Sequence, residues 1–199
     1  NWRGDGQVIK QFERSIIPSE ELYFQSAICW SRLTYNFGFR LHPHGVIPGD
    51  LSPCYYPKGD ALVALAYMNS PCARLFIDLI NPSVTKPVGD VGKIPFPQLN
   101  EVDRGCVSKV AQEILDIYRV DWNQVETSWE FLGNPLITCE RRVSRLADQF
   151  EHVRQGWSQA ISAVGDREVS LNRLFIDALN LQGQVSAEVA ADQITLWAN

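Results

Sequence analysis

The hydrophobic positions of this chain change period once, near residue 60. Before that point, residues 6–57 read as β-rich. "GQVIKQFE" alternates weakly, and "SAICWSRLTYNFGFRLHP" is crowded with aromatic and β-branched residues broken by Gly38 and Pro43. Gly45, Pro48, Gly49, Pro53, Pro57 and Gly59 follow at a density that predicts loops and short edge strands. From Asp60 the period becomes helical. Asp60 has the side chain of an N-cap for "ALVALAYMN", and Ser70-Pro71 supplies a second start, with Ser as cap and Pro at the first helical position. In that second helix Leu75, Phe76, Leu79 and Ile80 predict a core-facing stripe, and Asn81-Pro82 ends it.

Residues 102–119 predict another amphipathic helix, with Val107, Val110, Ile114, Leu115 and Tyr118 on one side. Asp121 and Gln124 have capping-box spacing and predict a short helical turn, after which "VETSWEFLGNPLI" is aromatic and irregular. Val143, Leu146, Phe150, Val153, Trp157 and Ile161 then step by three or four. Gly165-Asp166 is expected to close that helix. A second helix follows, with Val169, Leu171, Leu174, Phe175, Ile176 and Leu179, and the two should form an antiparallel hairpin within residues 138–180. The tail, "SAEVAADQITLW", opens on a Ser cap. These elements predict an α+β fold: a sheet-rich lobe over residues 1–100 and a mostly helical part over residues 101–199.

Composition excludes some classes. With 199 residues, 45% apolar and 21% charged, the chain has the makeup of an ordinary globular domain with enough length to bury a core. No run of uncharged apolar residues approaches a membrane span. The start, Asn-Trp-Arg-Gly-Asp-Gly, has neither the pattern of a signal peptide nor an initiating Met, and a fragment of a longer cytoplasmic protein is expected. Cys29, Cys54, Cys72, Cys106 and Cys139 lie far apart without C-x-x-C spacing, which predicts reduced, mostly buried thiols. The net charge of −5 argues against wholesale electrostatic binding of nucleic acid. The charge is uneven, however: residues 1–97 carry nine Lys/Arg against eight Asp/Glu, and residues 98–199 carry nine against fifteen. A local DNA-facing patch is therefore permitted in the first half.

Tests for a reaction centre fail. Gly89 and Gly92, followed by Lys93, do not make a phosphate loop, and no G-x-G-x-x-G is present. His42 and His44 flank a Pro, with His152 far away, so the sequence nominates no third metal ligand and no metal site. No G-x-S-x-G elbow exists, and Asp50 and Asp60 read as solvated loop acids.

Four stretches carry a resemblance: "SAICWSRLTYNFGFRLHPHGVIPGD", "ALAYMNSPCARLFIDLINPSVTKPVGDVGKIPFP", "VDWNQVETSWEFLGNPLI" and "LNRLFIDALNLQGQVSAEVAADQITL". In this order the chain resembles the C-terminal region of large adenine-specific DNA methyltransferases. The likeness is to those of BREX phage-defence systems (the PglX type) and to the related type IIG restriction–modification proteins. It implies a target-recognition module with a helical support, serving a SAM-dependent N6-adenine methyltransferase whose S-adenosylmethionine is held in the parent's catalytic domain. It transfers no catalytic residue. Enzymes of this chemistry grip the flipped adenine with an Asn/Asp-Pro-Pro-aromatic tetrapeptide, whereas Asn81-Pro82 continues with Ser-Val and Asn134-Pro135 with Leu-Ile.

The resemblance also implies that "NPSVTKPVGDVGKIPFP" is a structural clasp between a core helix and the next layer, built on Asn81, Pro82, Gly89, Asp90 and Pro95. Gly89 would supply a backbone angle closed to other residues, Asp90 would cap a turn starting at Val91, and Pro95 and Pro97 would keep the exit extended. A phosphate role for Lys86 or Lys93 is the competing reading. The implied partners are double-stranded DNA, the parent's catalytic domain and other defence-system subunits. A DNA-reading face is expected to gather Arg32, Tyr35, Arg40, His44, Lys58, Lys86 and Lys93, with Arg reading guanine edges and Lys holding phosphates. The alternative is a protein-docking scaffold built on the acidic helices of the second half.

Overall fold

The β-rich stretch condenses into three short strands: β1 (Ala27–Trp30), β2 (Phe39–His42) and β3 (Cys54–Tyr55). A computed structural model shows them in one antiparallel sheet of order β2-β1-β3, and it describes residues 2–35, 37–138 and 145–196. Cys139 and Val143, singled out in the sequence, lie outside the described residues. Register sets Ala27 opposite His42, Cys29 opposite Arg40, and Trp30 opposite Phe39 on one side of β1. On the other side it sets Ile28 opposite Tyr55 and Cys29 opposite Cys54. Alternation therefore turns Ile28, Trp30 and Phe39 inward and Cys29, Arg40 and Cys54 outward. "GQVIKQFE" is not a strand: Gln7–Lys10 form a single helical turn, α1, with no buried residue. Its alternation was too weak to bury a face, and no neighbouring strand pairs with it.

The helical period holds beyond residue 60. Asp60 caps α2 (Ala61–Met68), its carboxylate accepting from Leu62 N–H at 2.8 Å. Ser70 caps α3 (Pro71–Ile80), bent 66° from α2. α2 is apolar on all sides because it is the middle layer. Ala64 and Leu65 pack against Ile28, Trp30, Phe39 and Ile77 on the sheet side. Val63 and Tyr67 pack on the other side with Val107, Leu171 and Phe175. The stripe expected of α3 is rotated: Cys72, Ala73 and Ile77 are buried, whereas Leu79 is 72% exposed. The sheet and α2 approach α3 from the Cys72 side, which a periodicity count alone does not reveal.

After a helical turn, α4 (Val88–Val91), comes the long helix α5 (Glu101–Trp122), capped by Asn100. Val107 is fully buried on the predicted face. Asp121 does not open a new turn, because it lies inside the last turn of α5. α6 (Pro135–Thr138) is one turn. The final helix, α7, runs unbroken from Leu146 to Leu179, so the expected hairpin is replaced by one 34-residue rod lying against α5. Leu146 and Phe150, at the start of its apolar stripe, are exposed. The architecture is thus α+β with a helical C-terminal part, as the sequence indicates, but without the hairpin.

Gly165 explains the missing break. A Cβ there would stand 3.2 Å from Ile194 Cδ1, so the glycine admits the returning tail and does not end the helix. Glycine inside a helix costs only about 1 kcal/mol. The tail is extended apart from a 3-10 turn at Ala191–Gln193, and it seats Ile194 and Leu196 against Val164. Ser186 accepts from Glu188 N–H in a local turn and starts no helix. Asn172 Nδ2 donates to Ala187 O at 3.0 Å and pins the tail's start. Gly165→Leu is therefore expected to lift the tail while leaving helix content unchanged. Cleavage after Glu188 by a glutamate-specific protease, compared with wild type, checks this, and an unchanged cleavage rate would refute the packing role.

Candidate nucleic-acid interface

At the rim of the sheet the β1–β3 ladder continues beyond the strands. Trp30 N–H donates to Pro53 O at 3.3 Å and Arg32 N–H to Leu51 O at 3.0 Å, while Arg32 O accepts from Lys86 N–H at 2.8 Å. The Arg32 backbone is thus held on both sides. Its side chain is held as well: Nη1 donates to both carboxylate oxygens of Asp50, at 2.8 and 2.9 Å. Among the described residues, no bond is made by the Nε–Nη2 edge of the guanidinium. Leu33 and Leu51, each next in sequence to one member of this pair, and Tyr35 are exposed, the last at 85%. An arginine held through one nitrogen keeps two further donors on its other edge, the fork that can pair with guanine O6 and N7.

Arg40 stands elsewhere, on the outer face of the sheet. Its Nη1 donates to Phe39 O at 2.9 Å, and Gly38 leaves room for it. A pocket of about 180 Å³ opens there, lined by Cys29, Ser31, Gly38, Arg40 and Ser52. The Arg40 charge reaches into the helical part. Burial raises the Glu168 carboxyl above its ordinary range, and Arg40 opposes that shift. Burial also raises the Tyr118 hydroxyl, against a hydrogen bond with Thr195. An acid whose pKa is raised on folding holds its proton more tightly in the folded state, so stability is lost as pH climbs past the unfolded carboxyl pKa of about 4.3. Glu168→Gln is expected to raise the melting temperature at pH 8, with the gain vanishing below about pH 4. A melting series across pH checks it; a lower melting temperature at pH 8 would show that the Arg40 attraction outweighs burial.

Lys86, expected on a DNA-reading face, is withdrawn from the surface. It is 3% exposed, and its ammonium donates to Asn81 O, stands 3.6 Å from Asp78 Oδ1 and lies over the Phe37 ring at 6.0 Å. Its own carbonyl accepts from Trp30 Nε1 at 2.8 Å. Around it, Asn81 Nδ2 donates to Thr85 O and, at 2.7 Å, to Asp90 Oδ2, while Lys93 Nζ donates to Asp90 Oδ1 at 2.9 Å. The Lys93 ammonium, followed by the Asn81 amide, holds the Asp90 carboxyl below its usual range. Two expectations for this run are corrected. Gly89 has no positive φ and a Cβ there would meet nothing, because it sits inside α4. Asp90 does not cap a turn starting at Val91; it lies inside α4 and bonds through its side chain. Pro82 and Pro95 are exposed, and Pro95 O accepts from the buried Tyr67 hydroxyl.

His44 and Lys58 are exposed in the loops on either side of Asp50, His44 next to Gly45, whose N–H donates to Phe24 O at 2.9 Å. The structure therefore joins Arg32 to Lys86 through backbone, sets Arg40 on the outer sheet face and withdraws Lys86 into the interior. Sequence reasoning missed Asp50 as the partner of Arg32, and Asn69, whose amide bonds Phe39 N–H and O. No sequence signal marks either, since each partner lies 18 or more residues away.

The helical part carries a second exposed surface. Arg119 Nε and Nη2 grip Glu130 at 2.9 and 2.8 Å, and Ser128 Oγ donates to Asn123 Oδ1 at 2.7 Å. The loop so fixed holds out Trp129, 91% exposed, and exposes Leu132 as well. No helix among the described residues is long and apolar enough to cross a membrane.

No protein-family model matches the chain. It is, however, a partial homologue of adenine-specific methyltransferases, with 25–31% identity. PglX of Lacticaseibacillus casei (strain Zhang) is 25% identical over 201 aligned residues, covering 94% of this chain and 16% of that protein. BrxX of Escherichia coli O9:H4 (strain HS) is 31% identical over 149 residues, covering 72% of this chain and 12% of that protein. The chain thus spans a small part of each relative.

Proposed function

We propose that this chain is the target-recognition portion of a SAM-dependent N6-adenine DNA methyltransferase of a phage-defence or restriction–modification system. It binds double-stranded DNA beside the parent's catalytic domain and carries no reaction centre. The partial homology to two adenine-specific methyltransferases supports the setting. The observation that carries the recognition role is the Arg32–Asp50 pair, which holds a partly exposed guanidinium through one nitrogen. Lys58, Lys93 and His44 are the side chains that would meet phosphates near it, and Arg40 would do so from the outer face. The hydrogen-bonded run from Asn81 to Lys93 keeps the rim in place.

In this reading S-adenosylmethionine is held by the parent's catalytic part, as the partial homology to adenine-specific methyltransferases suggests.

In the full-length protein, Arg32→Ala should lose about 1–3 kcal/mol of discrimination at one base pair, roughly 5- to 150-fold. Folding stability should change by less than about 1 kcal/mol, because the pair is solvent-exposed. Asp50→Ala should show a weaker form of the same phenotype. Competition binding with single-base variants of the target measures this, and an unchanged target profile for Arg32→Ala would overturn the recognition role. A docking role is favoured by a different observation, the buttressed and exposed Trp129. Trp129→Ala that weakens association with the catalytic domain and spares DNA discrimination would assign that loop to docking.

A further inference from the structure

We propose that Cys29 and Cys54 are an oxidisable pair that closes into a cross-strand disulfide between β1 and β3 when a hydroperoxide reaches the outer face of the sheet. Register sets the two residues directly opposite one another. The ladder bonds fix which kind of pair they are. Trp30 N–H donates to Pro53 O and Arg32 N–H to Leu51 O, so Trp30–Pro53 and Arg32–Leu51 are the hydrogen-bonded pairs. Cys29–Cys54 falls between hydrogen-bonded positions, the type whose Cα atoms stand about 4.5 Å apart with the side chains closest. That separation lies inside the roughly 4.4–6.8 Å window of disulfides. Both side chains point to the outer face, away from Ile28 and Trp30. Both are free thiols and half-buried.

Access and order of reaction follow from the surroundings. Cys29 lines the 180 Å³ pocket, in which Arg40 is the cationic wall. Burial raises both thiols; Cys54 is pushed up to about 11, while Arg40 partly offsets the effect at Cys29. Cys29 is therefore the sulfur that attacks. Its thiolate attacks the terminal oxygen, breaks the O–O bond and becomes a sulfenic acid, the peroxide's alkoxide (hydroxide, from hydrogen peroxide) leaving and taking up a proton. The Cys54 thiolate then attacks that sulfur and expels the second oxygen. Two thiols and one hydroperoxide molecule yield one S–S bond, with water and the peroxide's alcohol (or a second water) released. Closure ties the two-residue edge strand to the centre of the sheet and fixes the loop that carries Asp50.

The test treats the protein with hydrogen peroxide, blocks remaining thiols with N-ethylmaleimide and maps peptides by mass spectrometry. A Cys29–Cys54 cross-link is expected, reversed by dithiothreitol and formed about tenfold or more faster in the folded protein than in urea. In Cys54→Ser, Cys29 should be captured as its dimedone adduct. If Cys29 and Cys54 are both still alkylated after Cys106 has oxidised, the proposal falls. It also falls if the cross-link forms as fast in urea as in the fold. Neither outcome depends on DNA recognition, so the two readings fail separately.

Discussion

Tyr67→Ala is expected to remove about 3–5 kcal/mol of unfolding free energy, the cost of deleting a large aromatic side chain from a packed interior. Tyr67 is fully buried where the layers meet, with ring centroids 4.9 Å from Phe96 and 5.3 Å from Phe175. Its hydroxyl donates to Pro95 O, which anchors the exit of the Asn81–Pro97 run to α2. Domains of this size have about 5–15 kcal/mol in total, so the loss would leave α5 and α7 weakly attached to the sheet side. Tyr67→Phe keeps the ring and should lose only about 0.5–1.5 kcal/mol, the net worth of the hydrogen bond to Pro95 O. Urea unfolding of both variants separates packing from hydrogen bonding. A Tyr67→Ala loss below about 1 kcal/mol would mean that α2 is not the junction of the two clusters.

Lys86 and Lys93 should behave oppositely although both are lysines seven residues apart in one loop. Lys86→Ala is expected to cost about 2–3 kcal/mol, because the half-buried Asn81 carbonyl loses a charged donor and the buried aliphatic stem leaves a void. The loss stays below that of a fully buried ion pair, since Asp78 is half-exposed and returns to water. Lys93→Ala should change stability by no more than about 0.5 kcal/mol, as an exposed i,i+3 pair with Asp90. Under the proposed recognition role the order reverses on DNA: Lys93→Ala should lower the salt dependence of binding by about one unit, and Lys86→Ala should leave it alone at temperatures where the variant is folded. A normal melting temperature for Lys86→Ala would remove the structural role given to this side chain.

These contrasts mark what the sequence discloses and what it withholds. Caps are local, so Asp60, Ser70 and the stop at Asn81 were legible from a few neighbouring letters. The α+β division was legible for the same reason: the hydrophobic period belongs to each segment. Contacts that depend on distant residues were not. Gly165 reads as a helix end until Ile194 is known to press on it. Leu79 reads as core until Ile77 is seen facing the sheet. Lys86 reads as a phosphate ligand because its letter carries charge but not burial. Arg32 was legible as a residue and not as a site, since the carboxylate that orients it sits in a loop with no pattern of its own.

The unbroken α7 helix carries a mechanical consequence. Its 34 residues make a rod about 51 Å long, with buried side chains from Gln149 and Val153 near one end to Phe175 and Ile176 near the other. A tilt of about 5° about the Phe175 end would sweep the Leu146 end through roughly 4 Å, more than packed side chains can follow. The rod therefore ties the packing at its two ends together, so that loosening one end strains the other.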